Sequence, residues 1–343
     1  MIGMLATRMT ALSMALLTLS IMGCEREGVD RNYMPQIEGK AFYGAKRAWL
    51  INWQGDLLRT EDAGDSWETI PAGIVGGFDQ ITFIDERIGW ATTIDGRVVR
   101  TTDAGRTWVS ISALGDTTWG PGLGQIGFVD EKHGWIVHPL FFWRTEDGGT
   151  TWEQSPSPYG PKGSVAYCLF INPKVGWLSG SGGSIYSTQD GGKTWQEQTV
   201  VQQDRGLSEV TFVNSLVGWV AASPNDGIYH TEDGGKTWLV LRDPGKIFYL
   251  HSVQFTSRTD GWAAGNEGEV SKPSNRKPIV LHTTDGGENW ERVKVAQDEP
   301  FIHYVHFTDK ATGWLLSRDN IYRTDDSGNT WHIVLRLPPV GKQ

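Results

Sequence analysis

Seven aspartates stand where a repeated carboxylate could do chemistry: Asp62, Asp103, Asp147, Asp190, Asp233, Asp285 and Asp326, each inside the octapeptide Thr-x-Asp-x-Gly-x-(Ser/Thr/Asn)-Trp. Calcium binding takes about six to eight oxygen ligands, and one carboxylate beside a glycine falls far short. Glycoside hydrolysis needs two carboxylates facing each other across a cleft, which one local motif does not supply. What the octapeptide demands is a turn. The Asp carboxylate accepts backbone N–H bonds, the Gly two residues on permits φ > 0, and the flanking hydroxyls cross-bond while the Trp ring packs between strands. These seven aspartates are assigned to structure.

Six side chains fall outside the pattern and form the candidate binding set: Trp119, Tyr167, Arg205, Glu209, His251 and Tyr304. Polar groups and aromatics mixed on a concave rim suit ligand recognition. Other motifs carry less. Gly122-Leu123-Gly124-Gln125-Ile126-Gly127 matches a dinucleotide fingerprint but precedes a strand instead of joining strand to helix. Ser179 to Ser184 is glycine-rich without a nucleophile elbow or a P-loop lysine, and reads as a hairpin loop. His303 and His306, three apart on a predicted strand, fall on opposite faces, which disfavours a shared metal. Tyr186, Tyr229 and Tyr322 share one repeated strand position and read as core, and Arg59, Arg100, Arg144 and Arg323 each precede a box threonine. No catalytic residue, metal or cofactor is expected.

The elements that position these residues come from self-comparison. Closing tryptophans of the octapeptide, Trp67 to Trp331, are spaced 41, 44, 43, 43, 52 and 41 residues apart, a period suited to four short strands per unit. A second row keeps phase with the first: a Phe followed seven residues later by Trp, from Phe42/Trp49 to Phe307/Trp314. In six of the seven pairs that Trp follows Gly, and in the first it follows Ala48. The two rows use 14 of the 17 tryptophans, leaving Trp53, Trp119 and Trp143 outside. Each unit reads as a four-stranded antiparallel meander, which cannot bury both faces alone. Seven stacked radially can, and closing the ring leaves few exposed edges. The expectation is all-β: a seven-bladed β-propeller with four-stranded antiparallel blades over residues 40–338.

If the Asp turns and the Phe-to-Trp turns share one face, the loops between second and third strands and between blades lie on the other. Length varies there, as in Asn266 to Pro278 with Lys272, Arg276 and Lys277, and in Ala113 to Gln125 with Trp119. The varied face is the expected binding surface.

Residues 1–23 carry one charge, Arg8, and an apolar stretch ending Ile21-Met22-Gly23-Cys24, the form of a secretory signal with a lipobox-like end. This predicts acylation of Cys24, a tether over 24–39, and an exported lipoprotein facing the periplasm, with the thylakoid lumen or the cell surface as alternatives, that meets the membrane through its lipid anchor only. Without residues 1–23 the chain keeps 30 basic and 40 acidic side chains, or −10, which excludes nucleic acid as a natural partner. Two cysteines, Cys24 and Cys168, build no disulfide framework.

The octapeptide resembles the Asp-box, or BNR repeat, of sialidase-like propellers, where it sits on the turn between third and fourth strands, away from the working face. The full unit, Phe…Gly-Trp…Gly-x-(Ile/Val)…Thr-x-Asp-Gly-Gly-x-Thr-Trp in seven copies behind a lipoprotein-like leader, resembles the photosystem II stability/assembly factor family of BNR-repeat propellers. That resemblance implies a non-enzymatic scaffold that holds a protein partner, a subunit of a membrane-protein complex. The family is associated with a basic patch, which the −10 balance here does not favour. The alternative is a carbohydrate-active or glycan-binding propeller. A sialidase resemblance wants an early Arg-Ile-Pro motif, which is absent, and xyloglucanase-like enzymes use two propellers where this chain has one.

Overall fold

The computed structural model describes residues 36–71, 73, 76–114, 124–160, 165–200, 206–223, 227–241, 248–268, 277–295 and 301–338; Cys24, Trp119 and Arg205 lie outside them. The described residues form seven four-stranded antiparallel sheets, each a meander of strands consecutive in sequence, at 37–70, 78–113, 125–156, 165–199, 206–240, 248–292 and 302–336. These are the blades of a seven-bladed propeller. A 3-10 turn at Ser181–Gly183 lies inside the glycine-rich hairpin loop of blade 4. The first strand opens at Ile37, whose buried side chain joins a cluster with blade 7, so residues 37–39 of the segment read as tether are already blade. In blade 6 the second and third strands run to Glu267 and from Lys277, with Asn266 opposite Pro278, so the expected long loop is shorter at both ends.

The tryptophan rows are the joints between blades. The second-strand Trp of each of blades 1–6 lies flat on the first-strand Phe of the next, at 3.6–4.1 Å between ring centres and 5–14° between planes. The box Trp of that next blade meets the same Phe edge-on at 5.9–6.2 Å. Offset stacking and edge contacts are both favourable aromatic geometries. In the first five joints the stacked indole N–H also reaches the carbonyl of the fourth box residue in the next blade, at 2.9–3.2 Å. Trp143, outside both rows, is buried in a joint cluster between blades 2 and 3.

The glycine of Gly-Trp has a steric cause. At Gly176, Gly218 and Gly261 a Cβ would stand 2.4–2.5 Å from the blade's own Phe ring, which lies flat against the strand there. Blade 1 has Ala48 at that place, directly opposite Phe42. Phe42 is correspondingly tilted by 37° from Trp314 at 5.5 Å and lies instead against His306 at 5.0 Å. This is the closing seam, and the indole N–H of Trp314 finds no acceptor there. No strand crosses the seam. It is held by a cluster of Ile37, Ala48, Leu50, Trp314, Leu316 and Ile321, by the Trp67 indole donating to the Val334 carbonyl at 3.1 Å, and by Arg323 donating to the Ala45 carbonyl at 3.2 Å.

All seven boxes have one geometry on the turn between third and fourth strands. The Thr hydroxyl donates to Asp Oδ1 at 2.7–2.9 Å. The same hydroxyl accepts from the Gly N–H at 2.8–3.0 Å. The N–H of the residue before Trp donates to the same Asp at 2.8–3.0 Å. At Asp326 the N–H and hydroxyl of Thr330 and the hydroxyl of Thr324 hold the carboxyl down at about 2. The fourth box position takes φ > 0 in every blade, and Ala63, Ala104 and Ser327 adopt it without being glycine. A β-carbon there costs about 1–2 kcal/mol, partly offset because glycine loses more freedom on folding. We expect Ala63→Gly and Ser327→Gly, neither of which removes a fully buried side chain, each to raise stability by about 0.5–1 kcal/mol, read as a higher urea midpoint.

Candidate functional site

The first strand of each blade is innermost, and from blade 1 round to blade 7 successive first strands pack side by side along the bore, while those of blades 7 and 1 stand farther apart. They are Ile37–Tyr43, Phe78–Phe83, Gln125–Phe128, Val165–Phe170, Gly206–Phe212, Phe248–Phe255 and Ile302–Phe307. Aligned on the joint Phe, the third residue before it reads Gly39, Gln80, Gln125, Tyr167, Glu209, Ser252 and Tyr304 round the ring. The period-two alternation of a strand puts this row and the residues just before Phe on the same side. The row between them is Lys40, Ile81, Ile126, Cys168, Val210, Val253 and Val305. Five of these are buried apolar residues packed between blades. Lys40 breaks the row.

Three of the candidates therefore belong to one layer of the channel wall rather than to its rim: Tyr167, Glu209 and Tyr304. Ser252 Oγ donates to Glu209 Oε2 at 2.6 Å across the blade 5–blade 6 joint. The Tyr167 hydroxyl also donates to Glu209. Burial pushes the Glu209 carboxyl up to about 6, against the pull of the Ser252 hydrogen bond, the Lys40 charge, Tyr167 and the Val253 N–H. Burial raises both tyrosines, and the charge of Glu209 adds to it. Lys40 approaches from blade 1 with Nζ 4.1 Å from the centre of the Tyr304 ring. Burial lowers its ammonium and Glu209 pulls it back. Lys40, Tyr167, Glu209 and Tyr304 are half-buried, enclosed by the ring but open to the bore, and Ser252 is fully buried.

His251 lies one residue earlier, at a bulge between Leu250 and Ser252, where its Nε2 is 3.2 Å from Asn266 Nδ2. A matching bulge between Ile302 and Tyr304 resets the parity of blade 7. The expectation of opposite faces for His303 and His306 rests on an unbroken strand and loses its basis there. Burial first, then the charge of Lys40, lowers both imidazoles, to about 3 and about 4. Neither ring nitrogen of His303 has a hydrogen-bond partner. No group of three or more His, Cys, Asp or Glu that could hold a metal occurs among the described residues.

Beside this layer a cavity of about 210 Å³ opens between Ile81, Gln125, Gly127, Tyr167 and Leu169, with Lys40 on its wall. Gly127 creates the space, since nothing stands within 4 Å of where its Cβ would be. Cys168 also lines the cavity, but burial pushes its thiol up, away from the reactive thiolate. The arginines before the box threonines act as braces. Arg59 donates to the Ala104 carbonyl of the next blade at 3.0 Å, and Arg100 pairs with Glu131 of the next blade at 2.8 Å.

The Glu209 carboxyl holds its proton more tightly in the folded state than a free glutamate at 4.5. Its ionisation therefore lowers stability as pH rises from 4.5 to about 6, after which the loss is constant. Glu209→Gln removes that dependence. Its urea midpoint relative to wild type is expected to move in the variant's favour between pH 4.5 and pH 7.

The family model for the photosynthesis system II assembly factor YCF48 matches residues 162–247 and 243–338. The chain belongs to the YCF48 family. A solved structure of YCF48 bound to D1 peptide is 17% identical, covering 90% of this chain and 99% of that one, with a TM-score of 0.67. YCF48 from Cyanidioschyzon merolae is 16% identical, over 88% and 98%, with a TM-score of 0.65. Virginiamycin B lyase from Staphylococcus aureus is 12% identical, over 82% and 92%, with a TM-score of 0.62. At such identities these structures share the fold alone. No curated protein matches the sequence.

Within this YCF48-family chain, sequence reasoning missed Lys40 and Ser252 and set His303 and His306 aside as a metal pair. The signal for Lys40 was present: it is the one charged residue in a column of Ile, Cys and Val. Ser252 carries no such mark, because serine is ordinary in a strand and only its neighbour Glu209 gives it a role.

Proposed function

We propose that the chain is a non-catalytic scaffold that binds a protein or peptide partner on the face carrying the interblade and second-to-third-strand loops. Membership of the YCF48 family carries this reading, and the structure of YCF48 with a D1 peptide supports the class of partner. The channel supports it too. Glu209 accepts bonds from Ser252 and Tyr167 and lies in the field of Lys40, so its carboxyl is engaged within the channel wall. The box carboxylates are engaged in their own turns. The same reading makes the protein an exported lipoprotein, acylated at Cys24 and held at a membrane surface with the propeller in the periplasm.

The test is panning of the full chain against a peptide library followed by hydrogen exchange of the complex. Protection is expected on the loops of the varied face and the channel mouth. Protection confined to the Asp-box turns, or turnover of a chromogenic glycoside panel that Glu209→Gln abolishes, would overturn the proposal.

A further inference from the structure

Trp53 is the one described tryptophan that joins no interior packing, and it is 51% exposed. It sits on the turn between second and third strands of blade 1, and the matching turn of blade 2 exposes Ile94 at 41%. Among the described residues, the other exposed large apolar side chains lie elsewhere: Tyr43 and Leu216 on first-to-second-strand turns, and Val109, Leu239 and Val240 on outer strands.

Both turns are stiff. The Asn52 side-chain oxygen accepts from the N–H of Gln54 and of Asp56 at 2.9 Å, and Trp53 N–H donates to the Gln36 carbonyl at 3.1 Å. In blade 2 the Thr93 hydroxyl donates to Asp95 at 2.5 Å and accepts from Arg97 N–H at 3.0 Å. Between them Ile94 packs down on the buried Gly55 and Gly77, which fixes its position. A Cβ on Gly55 would stand 3.2 Å from Ile94 Cδ1, and one on Gly77 would stand 2.8 Å from it. A rigid turn that holds a large aromatic half in water is the arrangement found at binding hot spots.

Charge chooses the occupant. Glu38, Asp56, Asp79 and Asp95 flank the patch at blades 1 and 2. Of the cations nearby, Arg97 pairs with Asp95 at 2.7 Å, and Lys40 lies over Tyr304 in the field of Glu209. Glu38 is exposed and has no ion pair among the described residues. Desolvation by the protein packed around its accessible side chain, and then the charge of Asp79, raise its carboxyl to about 6. The local field is negative and invites a cation.

We propose that the blade 1–blade 2 mouth is the anchor of the binding face, taking a partner segment in which a basic side chain neighbours a large apolar one. The apolar group covers Trp53 and Ile94, and the cation meets the exposed Glu38, whose carboxyl lies in the field of the buried Asp79. This rests on the peptide-binding reading above and names its subsite.

The probes are three labelled heptapeptides, alternating arginine and leucine, glutamate and leucine, or arginine and glycine, titrated into the full chain at two salt concentrations. The arginine–leucine peptide is expected to bind at least tenfold more tightly than either other. Trp53→Ser is expected to weaken it tenfold or more, and Glu38→Gln to weaken it about threefold while flattening its salt dependence. Val240→Ser, on the outer strand of blade 5, should leave it unchanged. The three exposed positions permit folded variants, checked by near-ultraviolet circular dichroism. Equal binding by Trp53→Ser, equal loss in Val240→Ser, or preference for the glutamate peptide overturns the anchor. So does a self-association that Trp53→Ser abolishes, which would give the patch to a second copy. If library peptides still protect the varied face while Trp53→Ser binds them normally, the anchor falls and the wider reading stands. Protection on the Asp-box face removes both.

Discussion

Trp219→Ala should lower stability by about 3–5 kcal/mol, the range for truncating a large buried aromatic. Trp219 is fully buried, lies 3.6 Å from the Phe255 ring at 5° and donates to the Gly286 carbonyl at 2.9 Å. Removing it leaves a cavity at the joint of blades 5 and 6, frees Phe255 from its stack and orphans the edge contact from Trp290. Trp314→Ala at the closing seam offers the internal comparison. That ring is just as buried, but its stack is tilted and its N–H has no acceptor. It should lose about 1 kcal/mol less, in line with a missing hydrogen bond. Urea midpoints of the two variants decide it. A smaller loss for Trp219→Ala than for Trp314→Ala would show that ring stacking and the indole bond do not set joint strength.

Gly218→Ala is expected to destabilise by about 2–3 kcal/mol, the upper part of the range for overpacking. The added methyl would meet Phe212 Cδ1 at 2.5 Å, and that ring is pinned from the other side by Trp177 at 3.6 Å. Neither ring can retreat without opening the joint of blades 4 and 5. Blade 1 shows what relief looks like, because Ala48 there coexists with a Phe42 that has left its stack. The matched substitution Ala48→Gly should therefore be nearly neutral, since the usual loss of about 0.5–1 kcal/mol for glycine in a strand is offset by a better Phe42–Trp314 contact. Opposite behaviour of the two, read by urea melts, would place the steric argument in doubt.

The fold was legible because the same physical problem recurs seven times. Each joint needs a flat Phe, a glycine that lets the ring lie down, a Trp to stack on it and an Asp-anchored turn, and every copy writes these in the same residue types. The candidate site was legible only in part, for the opposite reason. Tyr167, Glu209 and Tyr304 stand out as departures from the repeat, but their depth in the channel depends on strand alternation counted from the Phe, not on their chemistry. The bulges that place His251 and His303 leave no mark in sequence. Lys40 hid because a lysine near a chain's exposed beginning looks like solvated surface, although its column in the repeat is otherwise Ile, Cys and Val. Trp119 and Arg205 lie outside the described residues.

The closing seam bears on where this chain is free to begin. No strand of one end completes the sheet of the other, and Ile37 and Leu337 share one cluster. The blade 7–blade 1 contact is thus made, like every other joint, by side chains between separate sheets, but with its inner strands farther apart. The polypeptide's order round the ring is a convenience of synthesis: a circular permutant linked from 338 to 36 and opened between two other blades would meet the same neighbours, with its weakest joint now covalently bridged.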